Sequence, residues 1–388
     1  MARLGDIATL ITKGTTPTTV GFAFQDAGIN FVKIESIDEN GNFIPSKFDH
    51  ISTDCHNKLK RSQLSENDIL FSIAGAIGRT AIVTKDILPA NTNQAVAIIR
   101  VPEGAINYSF LLYVLQSAAV LEQAEKRKQG VAQLNLSLKD IGDFIIPDIP
   151  SEEQQKIVAD LDKVSNLIHL RKLQLAKLDE LVKSRFIELF GLPNLNDKGW
   201  LKGVINDIGI CVAGATPSTQ VKEYWENGTI PWMSSGEVNK GRVFETDTKI
   251  TQLGYDNAST KLVPPKTVVL AMAGQGKTRG TAAITEIELC TNQSICSIVN
   301  NEKVNSEYLL YFLKLQYMEL RGASTNTDGR GGLNLKIIGN YPIMIPPIEL
   351  QNKFAAFVEQ IDKSKFEIQH SLEKLETLKK ALMQKYFG

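Results

Sequence analysis

A long segment without a proline or a glycine limits the folds open to this chain more than any other feature. It runs from Ser151 to Phe190 and lies between Pro150 and Gly191. Ser151 is a typical N-cap residue, and the acidic side chains after it favour the positive end of a helix. Gly191 stands where a C-terminal cap is expected. The segment predicts a helix of roughly 38 residues, about 57 Å long at 1.5 Å per residue, which suits a spacer better than a single globular core.

The apolar side chains of this segment recur at alternating steps of four and three residues, with breaks at Arg171 and Arg185. They are Ile157, Leu161, Val164, Ile168, Leu175, Leu178, Val182 and Leu189. So narrow a stripe is typical of a coiled coil rather than of a helix on a broad core.

The C-terminal segment, which follows Pro346 and Pro347, has the same spacing, with breaks at Lys365 and Lys379. Its stripe consists of Phe354, Val358, Ile361, Ile368, Leu372, Leu375 and Leu382. Two long helices with complementary stripes most simply pack against each other as an antiparallel coiled coil. The alternative, two independent surface helices, leaves each stripe without a partner that buries it.

The chain is also an internal repeat. Landmarks about 200 residues apart recur in the same order, which predicts a tandem duplication of a globular module followed by a long helix. The clearest pairs are Gly14-Thr15-Thr16-Pro17 with Gly214-Ala215-Thr216-Pro217, Thr92-Asn93-Gln94 with Thr291-Asn292-Gln293, Leu111-Leu112-Tyr113 with Leu309-Leu310-Tyr311, and Leu134-Asn135-Leu136 with Leu333-Asn334-Leu335.

Each module combines short β-type runs, such as residues 68–73 and 267–272, with one helix, predicted over residues 108–126 and 306–320. We therefore expect an α+β fold with a largely antiparallel or mixed sheet. The predicted domains are a first module over 1–148, a central helix over 149–190, a linker (191–199) and second module over 191–346, and a C-terminal helix over 347–388. A length of 388 residues suits two or three domains.

The composition is that of an ordinary globular protein, with 43% hydrophobic and 22% charged residues and a formal net charge of zero. A neutral total gives no support to strong non-specific nucleic-acid binding, but it sets no limit on a local basic face. The four cysteines are scattered, so we expect reduced thiols and a cytoplasmic protein. No apolar run reaches the ~18 residues of a membrane span.

Several motifs are candidates for ligand-binding or catalytic sites. Residues 271–278 resemble a phosphate-binding loop, but Ala271 stands where that loop needs a glycine, and a strand-like run follows. A glycine-rich hairpin is favoured instead, whose Lys277 and Arg279, like Arg79 in the first module, could reach a DNA phosphate or base edge. Cys55 and its neighbouring histidines fit no zinc pattern, and no nucleophilic constellation stands out, so neither a metal nor a catalytic residue is expected.

The two Asn-Gln pairs, Asn93-Gln94 and Asn292-Gln293, have two interpretations. Amide side chains can recognise adenine edges, but they also tie turns to the backbone. Since both modules keep the pair while two modules would recognise different bases, we favour the scaffold role. The Gly-x-Thr-Pro segments are expected to be turns.

The ordered set of motifs resembles the specificity (S) subunit of type I restriction–modification systems over essentially the whole chain. The resemblance rests on the duplicated landmarks above, together with Glu223-Tyr224-Trp225, Ile230-Pro231-Trp232 and Ile345-Pro346-Pro347-Ile348-Glu349-Leu350-Gln351. The first module has Ile29-Asn30-Phe31 in place of the Pro-Trp motif and lacks the Tyr-Trp pair. No single motif is specific, whereas the ordered set, present twice and each time followed by a long helix, is.

The resemblance implies a DNA-recognition subunit without catalytic activity. It would bind double-stranded DNA at a bipartite site, dock two methyltransferase (M) subunits that modify adenine N6, and join restriction (R) subunits. S-adenosylmethionine, ATP and Mg²⁺ would be bound by those partners and none by this chain. A coiled-coil adaptor without DNA specificity is the alternative, but it leaves the duplicated module unexplained. A self-sufficient methyltransferase or nuclease would need motifs that the sequence lacks.

Two sets of site residues follow as candidates. Candidate DNA contacts are Lys13, Lys33, Arg79, Lys128, Gln133, Ser234, Lys277, Arg279 and Arg330. Candidates for helix pairing and partner docking are Leu161, Val164, Ile168, Leu175, Leu178, Val182, Val358, Ile361, Ile368, Leu372, Leu375 and Leu382.

Overall fold

The structure, a computed structural model, describes residues 1–128, 134–274, 276–323 and 332–388. The chain forms two compact units. Unit 1 contains Met1–Lys172 and His370–Gly388, and unit 2 contains Leu173–Gln369. The division falls inside the two long helices, whereas the sequence placed domain boundaries at the helix ends. Each long helix therefore contributes side chains to the cores of both units.

Unit 1 begins with a small mixed α and β module. Its strands are β1 (Ala2–Arg3), β2 (Leu10–Lys13), β3 (Ile29–Val32), β4 (Asp49–Ile51), β5 (Ile69–Ser72), β6 (Thr80–Ile82), β7 (Ala90–Thr92), β8 (Val96–Arg100) and β9 (Ile145–Ile146). Its helices are α1 (Leu4–Ile7), α2 (Thr53–Lys58), α3 (Tyr108–Gln116), α4 (Ala118–Arg127) and α5 (Leu138–Gly142), and then α6 (Ser151–Phe190) begins.

Three sheets organise the unit 1 module. An antiparallel sheet has the order β2-β8-β5-β6, and a second sheet has the order β4-β3-β7, in which β3 and β7 are parallel. Strands β1 and β9 pair at the edge that leads into α6. The sheet that contains β5 and β8 buries apolar side chains on both faces, so these strands are continuously apolar rather than alternating.

Unit 2 repeats this plan. Its strands are β10 (Leu201–Val204), β11 (Gly209–Ala213), β12 (Ile230–Met233), β13 (Arg242–Val243), β14 (Thr248–Ile250), β15 (Val268–Ala271), β16 (Ala282–Thr285), β17 (Cys290–Thr291), β18 (Ile295–Asn300) and β19 (Pro342–Ile345). Its helices are α7 (Ile205–Ile208), α8 (Gln252–Asp256), α9 (Ser306–Leu315), α10 (Tyr317–Ala323) and α11 (Leu335–Gly339), and then α12 (Ile348–Phe387) begins.

The sheets of unit 2 correspond to those of unit 1, with one strand more. The main sheet has the order β11-β18-β15-β16-β13, in which only the added β13 is parallel to its neighbour. A second sheet has the order β14-β12-β17 and again contains one parallel pair, while β10 and β19 pair alone. The predicted α+β class with a mixed sheet is confirmed.

One predicted helix in each module is in fact two. Ser117 lies between α3 and α4 with an extended backbone (φ −69°, ψ 153°), and its hydroxyl accepts a hydrogen bond from the Val120 amide. In unit 2, Gln316 separates α9 from α10. The prediction of a single helix over residues 108–126 and over 306–320 was therefore wrong. In unit 1, a capping serine starts the new helix without a proline or glycine to signal it.

The long helices have the predicted extent, with 40 residues each. Helix α6 is followed by Gly191, whose backbone is left-handed (φ 78°) and whose amide donates to the Ile187 carbonyl at 2.8 Å, as expected for a C-terminal cap. At the other end, the Pro150 carbonyl accepts from the Glu153 and Gln154 amides, so Ser151 is the first helical residue.

Within unit 1, the start of α6 and the end of α12 run antiparallel. Tyr386 donates to Asp160 at 2.6 Å, and Lys172 pairs with Glu376 at 3.1 Å, so rising numbers on one helix meet falling numbers on the other. The same core contains both Leu161 of α6 and Phe387 of α12.

Within unit 2, the end of α6 and the start of α12 are also antiparallel. Asp179 accepts from Lys365, while Phe186 and Phe190 both contact Phe354 with ring centroids 5.5 and 5.6 Å apart. The antiparallel pairing predicted from the stripes is thus present in each unit. None of the helices in the described ranges is long and apolar enough to cross a membrane.

Candidate nucleic-acid interface

In unit 1, two segments far apart in sequence come together at the end of the main sheet. Gly14, directly after β2, approaches Thr92 at the end of β7, and a Cβ on Gly14 would lie 2.0 Å from the Thr92 carbonyl oxygen. That carbonyl accepts from the Thr15 amide at 3.1 Å, and the Thr16 hydroxyl donates to the Gln94 side chain. Only glycine can bring the two backbones this close.

Unit 2 contains the same junction. A Cβ on Gly214 would lie 1.8 Å from the Thr291 carbonyl oxygen, and the Thr216 hydroxyl donates to the Gln293 side chain. The Gly-x-Thr-Pro and Thr-Asn-Gln motifs therefore form one joined pair of loops in each module. Their repetition in the sequence reflects a shared structural junction.

The asparagines of these loops have the role that the scaffold interpretation predicts. Asn93 Oδ1 accepts from the Ala95 amide at 3.2 Å, and Asn292 Oδ1 accepts from the Ser294 amide at 3.0 Å. Each side chain ties its own turn to the backbone two residues on. The prediction that amide side chains tie these turns to the backbone is confirmed for the two asparagines, whereas the glutamines bind the threonine hydroxyls.

A pair of aromatic rings lies beside each loop junction. In unit 2, Trp225 and Trp232 are perpendicular with centroids 5.1 Å apart, and the Trp232 indole donates to the Ala215 carbonyl at 3.0 Å. In unit 1, Phe24 and Phe31 form a similar edge-on pair at 5.3 Å. The first module thus has its own aromatic pair. Phe24 was not among the residues predicted from the sequence, although the seven-residue spacing of both pairs is a visible signal.

The candidate DNA contacts of unit 1 lie in different settings. Lys13 is half-buried on β2, and Lys33 pairs with Asp49 while its ammonium lies 5.2 Å from the centre of the Phe24 ring. Lys128 follows the end of α4 and pairs with Glu125. Lys33 and Lys128 are thus held by carboxylates of their own unit.

Arg79 has a structural position in unit 1. Its guanidinium donates to the carbonyls of Ile34 at 3.2 Å and Ile37 at 2.9 Å, so it holds the segment after β3 against the β5–β6 hairpin. These bonds turn the side chain toward its own module, and Arg79 gains no support as a DNA contact. Gln133 lies outside the described residues.

In unit 2, Ser234 starts the short helical turn Ser235–Lys240, and its amide donates to Glu237 at 2.8 Å. Lys277 is exposed in the hairpin between β15 and β16, and Arg279 in the same hairpin is half-buried. Among the described candidates of this unit, Lys277 is an exposed cation on a loop. Arg330 lies outside the described residues.

The residues predicted to pair the helices lie on the inner faces of α6 and α12. The buried members are Leu161, Val164, Ile168, Val182, Val358, Ile361 and Leu372, and the half-buried members are Leu175, Leu178, Ile368, Leu375 and Leu382. Their grouping follows the units, with Leu161 in the unit 1 core and Val358 in the unit 2 core.

The stripe pattern did not identify the apolar side chains on the outer faces of the same helices. In unit 1, Leu170 is 52% exposed, and in unit 2, Leu181 is 47% and Phe366 is 72% exposed. These residues lie off the four-three spacing, which is the signal that could have separated them from the buried stripe.

The described residues contain no group of three His, Cys, Asp or Glu side chains that could hold a metal ion. His56 instead has Nδ1 2.5 Å from Asn91 Oδ1, and Cys55 is buried in the module core. This histidine and cysteine therefore belong to the packing of unit 1.

Comparison with known proteins agrees with the duplicated plan. The family model described as "Type I restriction modification DNA specificity domain" matches residues 1–180 and again 197–380. The chain is 25% identical over 334 residues to the type I restriction enzyme MjaIX specificity subunit of Methanocaldococcus jannaschii. The aligned region covers 82% of this chain and 76% of that protein.

Two solved structures have a similar fold along the whole chain. One comes from a study of complex assembly and conformational transition in a type I R-M system, with 18% identity, a TM-score of 0.60, and coverage of 100% of this chain and 96% of that chain. The other is the S subunit of a type I restriction–modification system from M. genitalium, with 15% identity, a TM-score of 0.59, and coverage of 100% and 95%. At these identities the likeness concerns the fold alone.

Proposed function

The chain belongs to the type I restriction–modification DNA specificity family, and from this premise we propose that each unit recognises one half of a split DNA site. The observation that carries the proposal is the loop junction built twice, around Gly14 and Thr92 in unit 1 and around Gly214 and Thr291 in unit 2. A shared frame with different surrounding loops suits two modules that bind DNA in the same way but recognise different bases.

We further propose that the chain is the non-catalytic part of a larger enzyme. Two methyltransferase subunits would supply S-adenosylmethionine and adenine N6 methylation, and restriction subunits would bind ATP and Mg²⁺. In this assembly the chain recognises the DNA site and positions the methyltransferase subunits on it.

The outer faces of the long helices are the proposed docking surface for the methyltransferase subunits. Their inner faces are already filled by the apolar stripes, yet exposed leucines and a phenylalanine remain outside them. These are Leu167, Leu170 and Leu378 in unit 1, and Leu173, Leu181 and Phe366 in unit 2. Single exposed apolar residues are common, but a group on paired helices is typical of a protein contact.

Methylome sequencing tests the DNA proposal. A host that expresses this chain with its methyltransferase should carry a split motif with a methylated adenine in each half, on opposite strands, and several unrecognised base pairs between the halves. Replacing residues 2–148 by another first module should change one half and leave the other unchanged. A contiguous motif, or a change of both halves together, would contradict independent recognition.

Partner docking is tested separately on α6. Leu181→Asp should weaken capture of the methyltransferase subunit in a pull-down, because it places a charge on the proposed apolar contact. Lys183→Asp is the matched control, since it introduces the same side chain at another exposed position of the same helix. Equal capture by Leu181→Asp and the wild type would exclude this face.

A further inference from the structure

In unit 2, the turn formed by residues 276–280, in the hairpin between β15 and β16, is held by two side chains of α10. The Tyr317 hydroxyl donates to the Lys277 carbonyl at 2.9 Å. Arg321 Nη1 donates to the Gly276 carbonyl at 2.7 Å and lies 3.3 Å from the Arg279 carbonyl. The carbonyls of Gly276, Lys277 and Arg279 are thus bound by two side chains that lie one helical turn apart on α10.

The two holding side chains also bind each other. Arg321 Nη1 lies 3.0 Å from the Tyr317 hydroxyl oxygen, and its guanidinium carbon is 5.5 Å from the Tyr317 ring centre. The Thr281 hydroxyl adds a second bond to the Lys277 carbonyl at 2.9 Å. The backbone of Lys277 is therefore fixed from inside the unit, while its side chain is exposed.

The equivalent hairpin of unit 1 is shorter. Ile69 of β5 pairs with Ile82 of β6, 13 residues on, whereas Val268 of β15 pairs with Ile284 of β16, 16 residues on. Unit 2 therefore has three more residues between equivalent strand positions. Lys277 belongs to this longer connection.

The support beneath the unit 1 hairpin is also different. A Cβ on Gly78 would lie 2.5 Å from Leu121 Cδ2, and a Cβ on Gly280 would lie 3.2 Å from Arg321 Cγ, so Leu121 takes the place of Arg321. The basic residue of the unit 1 hairpin, Arg79, points inward to carbonyls of its own module. An outward cation on a held turn thus distinguishes unit 2.

We propose that Tyr317 and Arg321 are positioning residues that hold the turn 276–280 so that Lys277 binds a DNA phosphate beside the half-site of unit 2. The inference rests on the proposed recognition of DNA by this unit. Lysine is a point charge on a flexible stem, which suits a phosphate oxygen rather than the two-bond recognition of a base. Fixing its backbone in advance reduces the freedom that the side chain loses on binding.

The contact has a measurable electrostatic signature. Each phosphate that a protein neutralises on duplex DNA lowers the slope of log affinity against log salt by about 0.9. Loss of the Lys277 contact should therefore make the slope shallower by about one and weaken binding without changing which bases are recognised.

The test uses the chain in complex with its methyltransferase partner and a duplex that carries the motif found by methylome sequencing. Fluorescence anisotropy is measured over a salt series for Lys277→Gln, Arg321→Gln and their double variant. Each single variant should make the slope shallower by about one, and the double variant should be no weaker than Lys277→Gln, because both remove one contact. The control is Lys303→Gln, which changes an exposed lysine just before the start of α9 and should keep the wild-type slope.

Tyr317→Phe is a second variant in case the arginine variant misfolds, since it keeps the ring and removes the hydroxyl that binds the Lys277 carbonyl and accepts from Arg321. It should weaken binding in the same salt-dependent manner, though less. Weaker binding by Arg321→Gln with an unchanged slope, or additive losses in the double variant, would assign Arg321 a purely structural role. If wild-type complex binds the motif and Lys277→Gln equals it, the positioning proposal is wrong. If wild-type complex does not bind the motif, DNA recognition itself is wrong and this inference falls with it.

Discussion

The two units attach their modules to the long helices in the same way at one point and differently at another. The shared point is a buried glutamine in the first turn of each long helix. Gln154 accepts from the Asn107 amide at 2.9 Å and donates to the Ile149 carbonyl at 2.8 Å. Gln351 accepts from the Asn305 amide at 2.8 Å and donates to the Pro346 carbonyl at 2.7 Å.

The second attachment differs in chemistry. In unit 1, the Tyr113 hydroxyl of α3 donates to Asp162 of α6 at 2.6 Å. In unit 2, Arg242 of β13 is bound by three carboxylates, Glu286 at 2.8 Å, Glu307 at 2.7 Å and Asp362 of α12 at 2.6 Å.

Burial acts to lower the pKa of Arg242, but the surrounding carboxylates, led by Glu307, outweigh it and raise that pKa above its ordinary value. The cation therefore stays charged while partly buried.

The packing around the helices differs too. Unit 2 stacks Phe186 on Tyr308 at 5.4 Å and surrounds Phe354 with rings, whereas unit 1 has Ile157 and Leu161 in the corresponding core. After duplication, the hydrogen bonds that orient each helix start have stayed the same, while the side chains that fill the space have diverged. A directional bond to a backbone amide admits few substitutes, but an apolar volume can be filled in several ways.

The largest expected effect tests whether the two cores are independent. Phe354→Ala should destabilise unit 2 by about 3–5 kcal/mol, and Ile157→Ala should destabilise unit 1 by about 2–5 kcal/mol, because each leaves a cavity among buried side chains. Cys290 and Cys55 are buried reporters of units 2 and 1, and burial raises the pKa of the Cys290 thiol to about 11.

Thiol labelling in a denaturant series, followed residue by residue with mass spectrometry, measures both units in one sample. Phe354→Ala should expose Cys290 at lower denaturant and leave Cys55 unchanged, and Ile157→Ala should do the reverse. A joint shift of both cysteines would mean that the two units unfold as one.

The next effect concerns the charged attachment of unit 2. Arg242→Met leaves three carboxylates without their shared cation, at a cost between the roughly 0–1 kcal/mol of a surface pair and the 3–5 kcal/mol of a broken buried pair. The same labelling assay should show earlier exposure of Cys290. Lys266→Met is the control, because Lys266 binds Glu286 from an exposed position and should change little.

The shared glutamines should give similar effects in both units. Gln154→Leu and Gln351→Leu each leave a backbone amide without its acceptor, at about 1–3 kcal/mol. The two variants should lower the stability of their own units by comparable amounts. A large loss in one unit and none in the other would show that the attachments are not equivalent.

The smallest effect is expected at Tyr113. Tyr113→Phe removes the bond to Asp162 and should cost unit 1 about 1 kcal/mol. Burial, with the Asp162 bond and charge, raises the pKa of Tyr113 above its ordinary value. The folded state therefore favours the protonated phenol, so this stabilisation is complete below about pH 10 and is lost as pH rises further. The alkaline loss of unit 1 stability should be smaller in Tyr113→Phe than in the wild type.

The extent of the long helices and the duplication of the module could be predicted because their sequence signals are local. The absence of helix breakers between Ser151 and Phe190, with a glycine at 191, sets the extent of α6 through capping and backbone freedom alone. Order and spacing of the repeated motifs predicted two modules of one fold. The interruption between α3 and α4 at Ser117 was not predicted, since a serine inside an apolar helical pattern does not by itself indicate that it caps a new helix.

The sequence by itself determined the long helices, the duplication and the family to which the chain belongs, because periodicity, caps and repeated motifs are properties of residues close together in the chain. Only the tertiary structure decided which distant residues meet. It placed Arg79 against carbonyls and Lys277 on a held turn, and it divided each long helix between two cores. These outcomes depend on packing and on hydrogen bonds between segments far apart in sequence, whose partners no local pattern specifies.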